Sequence, residues 1–285
     1  MPVRIVALVN DTTGTLIASA YKDPEIMIGS ICSTGCNAAY MEYCNAIPKF
    51  KKNHFPPDSL VAINTEYGTF DNCRKVLRRT RVDYDIDDAS ARPRQQAYEK
   101  MVAGLYLGEI VRRMLLELHN THGFFSGQDA SILRESHILD ASFLSIVEED
   151  TSEEHEAVYR LMKEKLNLES TIPERKICRY FVELVGTRSA RLYACGIAAI
   201  CKKRGIQEGR VGVDGAVFHY YSRFRLRASQ ALRDIMDWPD GCKDPITFQM
   251  SEDGSGVGAA LIAALAMQNR VDGVHGAPDG ITEGA

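Results

Sequence analysis

The stretch Val3-Arg-Ile-Val-Ala-Leu-Val-Asn-Asp-Thr-Thr-Gly-Thr15 decides the reading of this chain. Val3, Ile5, Val6, Ala7, Leu8 and Val9 form the short apolar run of a buried strand, and Asn10-Asp11 ends it at a Thr/Gly turn. A carboxylate at the end of a buried parallel strand faces the crevice where α/β proteins bind ligands. Asp11 suits two roles there. It can accept a proton from a substrate hydroxyl, as a base does in phosphoryl transfer. It can equally serve as a turn or cap residue for the helix expected from about Thr12. A core strand beginning at the third residue is unusual, since the first residues of most domains are poorly ordered.

Working outward, the first third reads as strands and turns. Ile28 to Ile31 runs into Ser33-Thr34-Gly35-Cys36-Asn37, and Ala38 to Glu42 returns as a strand. Glycine lets a backbone approach phosphate oxygens, and Thr34 adds a donor. Val61 to Asn64 forms another strand, stopped by Thr65-Glu66, where an amide and a carboxylate can hold vicinal hydroxyls. Residues 71–94 are polar and read as loop. Helical spacing runs from Gln95 to Asn120, with Gly123 as its stop. Glu99 sits at the start of that helix, where it complements the dipole or faces a ligand.

Two short helices are expected within residues 128–149 and an amphipathic one from Ser152 to Leu166. A long helix follows from Glu174 to Arg204, interrupted near Gly186-Thr187. Strands return at Arg210 to Val213 and Ile246 to Met250, around a helix from Phe224 to Trp238. Glu252-Asp253-Gly254-Ser255-Gly256 then opens a last helix from Val257 to about Met267. Helix N-termini bind anions, although this glycine pattern matches neither the P-loop nor the dinucleotide fingerprint. Residues 1–270 read as one α/β domain and 271–285 as a disordered tail.

Composition narrows the function. Hydrophobic residues make up 45% and charged residues 25%, as in an ordinary soluble domain. The net charge of −4 offers no footprint for nucleic acid. No apolar run approaches the roughly 20 residues of a membrane span, and no signal peptide is recognisable, so a cytoplasmic location is expected. The eight cysteines lack C-x-x-C pairs and read as small thiols rather than metal ligands.

In order, these motifs resemble the hexokinase and glucokinase family of eukaryotes. Ala7-Leu-Val-Asn-Asp-Thr-Thr-Gly-Thr15 resembles its signature turn, and Thr34-Gly-Cys-Asn-Ala-Ala-Tyr-Met-Glu42 its second glycine turn. Ile63-Asn-Thr-Glu-Tyr-Gly68 resembles its glucose-contacting strand end. Gln95-Gln-Ala-Tyr-Glu-Lys-Met101 with Tyr106-Leu-Gly-Glu-Ile-Val-Arg112 resembles the helix that follows. Gly186-Thr-Arg-Ser-Ala-Arg191, Val211-Gly-Val-Asp-Gly215 and Asp253-Gly-Ser-Gly256 complete the series.

The resemblance implies an actin-like (ribonuclease H-like) fold, of which this chain is the larger, C-terminal domain. It implies ATP-dependent phosphorylation of a hexose at its 6-hydroxyl, the first step of glycolysis, with Mg²⁺ carried by the nucleotide. Asp11 would be the base. Asn10, Asn37, Glu66 and Glu99 would hold the sugar. Thr34, Gly35, Gly104, Thr187 and Gly254-Ser255-Gly256 would line the ATP side.

The family's N-terminal lobe, with its Leu-Asp-Leu-Gly-Gly-Thr turn and Thr-Lys pair, is not among these residues. Self-association through the surface that lobe would cover is therefore expected. Ser33 and Arg94 stand where the family has glycine, and Ala216 where it has serine. A positive φ at Ser33 would strain its turn by roughly 1–2 kcal/mol, and Arg94 is bulky enough to reach the cleft. These departures keep open an alternative, a non-catalytic regulatory protein of hexokinase type that binds sugar, nucleotide or a protein partner.

Overall fold

The computed structural model describes residues 5–50, 56 and 58–271. Five strands form one sheet in the order β3-β2-β1-β4-β5. β1 (Ile26–Cys32) pairs antiparallel with β2 (Cys36–Tyr43), which pairs antiparallel with β3 (Leu60–Asn64). On its other side β1 runs parallel to β4 (Gly209–Asp214), and β4 parallel to β5 (Ile246–Met250). β1 and β4 thus end side by side, each followed by a polar turn.

Glycines set how closely the layers approach. α1 (Asp11–Lys22) lies directly on the sheet, so a Cβ at Gly29 would come within 2.4 Å of the Leu16 backbone. α10 (Gly254–Val271) crosses α1 so tightly that a Cβ at Gly258 would sit 2.0 Å from the Gly14 carbonyl oxygen. The core gathers beneath the long helix α7 (Ile172–Arg204). There Tyr193 packs at 5.7–5.9 Å, ring to ring, against Phe218, Phe224 and Phe248. Helices α1 and α10 form one unit against the sheet, and α7 packs with α9 (Ser222–Met236) and against β2. This is the layered α/β arrangement expected from the resemblance.

Several expected elements change. The strand over Val3–Asn10 does not form among the described residues, because no sheet edge receives it. Ile5 is 76% exposed and Leu8 91% exposed. The region 71–94 is not all loop, since α2 (Arg81–Ala89) lies within it. A capping box between Thr80 and Asp83 starts that helix, Val82 and Ile86 bury its apolar face, and Arg188 grips Asp83 through two 2.8 Å hydrogen bonds.

The helix expected from Gln95 is broken into α3 (Glu99–Val102) and α4 (Gly104–His122). At the break the Gly104 amide donates to Ser33 O at 2.8 Å, tying it to the β1–β2 hairpin. As expected, Gly123 in the left-handed region ends α4.

The interruption expected near Gly186 is absent, for α7 runs through 33 residues. Gly186 is instead a contact point, where a Cβ would lie 2.4 Å from the Tyr221 hydroxyl. The two short helical segments within 128–149 are a 3₁₀ turn, Ser131–Arg134, and α5 (Ala141–Glu149). The next helix, α6 (Glu156–Leu166), begins four residues later than expected, because Asp150 takes the Ser152, Ala157 and Val158 amides. The helix expected from Phe224 starts earlier, as α8 (Ala216–Tyr220) followed by α9. The last helix begins at Gly254, three residues before Val257, and reaches Val271. The rest of the expected tail lies outside the described residues.

Candidate active site

The site grows from two strand ends and a hairpin. Asn10 caps α1, its Oδ1 accepting from the Thr12 amide at 2.9 Å and the Thr13 amide at 3.3 Å. Asp11 is therefore released from capping. It takes the Thr12 amide on Oδ1 at 2.7 Å and stays exposed toward a polar cavity of about 460 Å³. Asn10, Asp11, Asn37, Glu66 and Glu99 all line this cavity, together with Thr34, Gly35 and Ser255.

Opposite Asp11 the polar groups are cross-linked. Asn37 Oδ1 accepts from the amides of Ala38 (2.8 Å) and Glu66 (3.0 Å) and from Thr65 Oγ1 (3.2 Å). Its Nδ2 donates to Asn64 Oδ1 at 2.7 Å, and Asn64 Nδ2 donates to Glu66 Oε1 at 2.8 Å. The backbone at Glu66 is left-handed, with φ of 50°, which turns the chain as β3 ends. These groups are exposed or half-buried and hold one another in a fixed array open to the cavity.

Glu99 reaches the cavity because α3 is offset from α4. Its Oε2 accepts the Cys36 amide at 2.9 Å, and a Cβ at Gly35 would come within 2.9 Å of that oxygen. A side chain at position 35 would push the Glu99 carboxylate aside. Burial raises the Glu99 carboxyl above its ordinary value, and the Glu66 charge adds to the rise, against the lowering by the Cys36 amide.

Asp214, at the end of β4, was not foreseen as a site residue. It lines the same cavity and binds two amides, Gly215 (2.7 Å) and Gly254 (2.8 Å). It thereby fixes the N-terminus of α10 against the sheet. The signal for it was available, since Asp214 ends a strand parallel to β1 just before a glycine.

A second, apolar slot of about 530 Å³ adjoins the first and shares Ser33 and Thr34 with it. Leu105, Ile146, Val217 and Tyr220 form its walls and Gly104 part of its floor. It suits a flat, weakly polar ring. Its walls come from α4, α5 and α8, and of its lining residues only Gly104 and Thr34 were expected on the ATP side, with Ser33 and Ala216 noted as departures from the family pattern.

Of the other residues expected on the ATP side, Ser255 lines the polar cavity, and Gly254 meets Asp214. Gly256 faces the Asp253 carboxylate, 2.5 Å from where its Cβ would be. Thr187 lies within α7 and lines neither cavity. The strain expected at Ser33 falls elsewhere. Ser33 is not among the positive-φ residues, whereas Arg94 has φ of 61°, is exposed and stands outside both cavities.

Comparison with known proteins agrees with this geometry. A family model described as hexokinase matches residues 27–265. A hexokinase of Emericella nidulans is 52% identical over 270 residues, covering 94% of this chain and 55% of the relative. Hexokinase-2 of Candida albicans is 49% identical over 277 residues, covering 96% and 57%. A solved hexokinase from Schistosoma mansoni, complexed with glucose, superposes with a TM-score of 0.80 at 34% identity over 91% of this chain and 57% of its own. The chain thus spans about half the length of the curated relatives it matches. With five-sixths of its residues under one family model and the fold of a solved member, the chain belongs to the hexokinase family.

Proposed function

We propose that the protein transfers a phosphoryl group from ATP to the 6-hydroxyl of a glucose-type hexose, the first step of glycolysis, in the cytoplasm. The observation that carries this reading is the polar cavity, where Asp11 faces a cross-linked set of sugar-sized hydrogen-bonding groups beside an apolar slot. Asn10, Asn37, Glu66 and Glu99 hold the ring hydroxyls. Asp11 takes the proton as the 6-oxygen attacks, which needs one carboxylate aimed at one hydroxyl.

The nucleotide's base occupies the apolar slot. Its phosphates pass Thr34 and Gly35 toward the N-terminus of α10, where Ser255 offers a hydroxyl and the helix dipole favours negative charge. Mg²⁺ arrives with ATP. Mg²⁺ ordinarily binds through substrate phosphates and keeps several waters. When bound, it neutralises the charge that builds on the transferred group.

The regulatory alternative loses ground on two points. Arg94 stays outside both cavities, and Ser33 sits in ordinary backbone geometry. The test is a coupled assay of ATP-dependent hexose 6-phosphate formation. It uses the 285-residue chain alone and the chain preceded by the N-terminal half of a curated relative. Activity in the extended protein, lost in Asp11→Asn, is expected. Inactivity of the extended protein with every sugar would overturn the proposal.

A further inference from the structure

Two cysteines oppose each other across the hairpin that carries Thr34 and Gly35. In the β1–β2 register Cys32 faces Cys36. Directly opposed residues in a sheet project to the same face, and both side chains are buried there, at 0% and 3% exposure.

The hydrogen bonds decide what kind of pair this is. The Cys36 amide donates to Glu99 Oε2 at 2.9 Å, while the Ser33 amide donates to Gly35 O at 2.9 Å, the bond that flanks a non-hydrogen-bonded pair in an antiparallel ladder. Cys32 and Cys36 therefore form a non-hydrogen-bonded pair, the type in which Cα atoms lie only about 4.5 Å apart. A disulfide accepts Cα separations of roughly 4.4–6.8 Å.

The surroundings keep both thiols protonated and slow to react, and leave one route of access. Burial pushes the Cys36 thiol up to about 12 and holds the Cys32 thiol well above its ordinary range, so both keep their protons. Cys36 nevertheless borders the polar cavity, which gives a small oxidant a path. Its sulfur lies 3.0 Å from the Tyr67 hydroxyl, a contact it must leave in order to turn toward Cys32.

We propose that Cys32 and Cys36 are a modification site, forming a reversible disulfide across the β1–β2 hairpin when the chain meets a peroxide. The Cys36 sulfur, on losing its proton, attacks one peroxide oxygen. The O–O bond breaks, water leaves, and Cys36 becomes a sulfenic acid. The Cys32 sulfur then attacks that sulfur, the S–S bond forms, and a second water leaves. In sum two thiols give up two protons and two electrons, and hydrogen peroxide becomes two waters. A dithiol reverses the step by exchange. The bridge would act on the turn that presents Thr34 and Gly35.

The experiment reads the bond itself and needs no activity. The full chain is treated with hydrogen peroxide, its remaining thiols are alkylated with iodoacetamide, and it is digested with trypsin. Residues 23–49 contain no internal Lys or Arg and hold Cys32, Cys36 and Cys44 on one peptide. The expected product carries one alkyl group, on Cys44, in place of three, and is two hydrogens lighter, with no fragment ions between Cys32 and Cys36. Cys44→Ser retains the bridge and Cys32→Val abolishes it. Three alkylated thiols, a bridge that includes Cys44, or over-oxidised Cys36 without a bridge would each overturn the proposal.

Discussion

The two sides of the polar cavity are built differently. On one side Asn37, Asn64, Thr65 and Glu66 hold one another by hydrogen bonds, and Glu99 is fixed by the Cys36 amide. On the other side Asp11 is supported from behind by α1 and α10, while the residues leading to it, Ile5 and Leu8 among them, lie exposed and unpaired. The groups proposed to hold sugar are preorganised by their own hydrogen bonds, which would spare them reordering when a ligand binds. Asp11, the proposed base, follows a described segment, residues 5–10, that joins no strand. Within the described residues, the hydrogen-bonded side is cross-linked, whereas Asp11 is supported from one side only.

The largest effect expected is on the Asp11 side. In the extended protein Asp11→Asn should lower kcat by about 10²–10⁴, the usual worth of a positioned base, with sugar KM changed only a few-fold. Steady-state kinetics separates the two. An equal rise in KM would mean that Asp11 chiefly binds sugar, and the contrast between the sides would break.

On the preorganised side, Glu66→Ala should raise the sugar KM about 10–100-fold, the loss of one or two hydrogen bonds to a charged group, with kcat falling less. A fall in kcat as large as that in Asp11→Asn would merge the two sides into one catalytic unit.

The support behind Asp11 can be tested without substrate. Gly258→Ala places a Cβ against the Gly14 carbonyl, where backbone must shift, and should cost about 1–3 kcal/mol. Thermal unfolding measures this, and an unchanged Tm would show that α10 does not brace α1 as tightly as the packing indicates.

The smallest effect concerns Glu99. Its carboxyl is raised in the folded chain by burial, so the stability it contributes is present at low pH and lost as pH rises through the carboxylate range. Glu99→Gln should therefore be more stable than the parent at pH 7, by under about 1 kcal/mol given its partial exposure, with the difference vanishing near pH 4. Denaturant unfolding at the two pH values checks the sign. A variant less stable at pH 7 would show that the Cys36 hydrogen bond outweighs burial.

Much of this site could be read from local sequence because its parts are strand ends and tight turns. Asn10 and Glu66 each follow closely on a short apolar run, and Asn37 opens the strand just after a glycine turn, where few positions are possible. Legibility failed where tertiary packing decides. Gly186 reads as a helix breaker but marks a crowded contact with Tyr221, and Thr187 beside it lines neither of the two site cavities. The apolar slot joins residues from α4, α5 and α8 that no single motif connects. Helix α2 was hidden in a charged stretch, although its Thr80–Asp83 capping box was visible in principle. The run at Ile5 to Val9 shows the reverse failure. Its apolar pattern is that of a strand, but a strand also needs an edge to pair with, which composition alone does not reveal.

The central claim is that the sugar-holding side is already assembled in these 285 residues. Calorimetric titration of glucose into the chain, without nucleotide, tests it most directly. Saturable binding that is lost in Glu66→Ala and retained in Asp11→Asn is predicted. No binding to the parent chain, or binding that Glu66→Ala leaves intact, would contradict it.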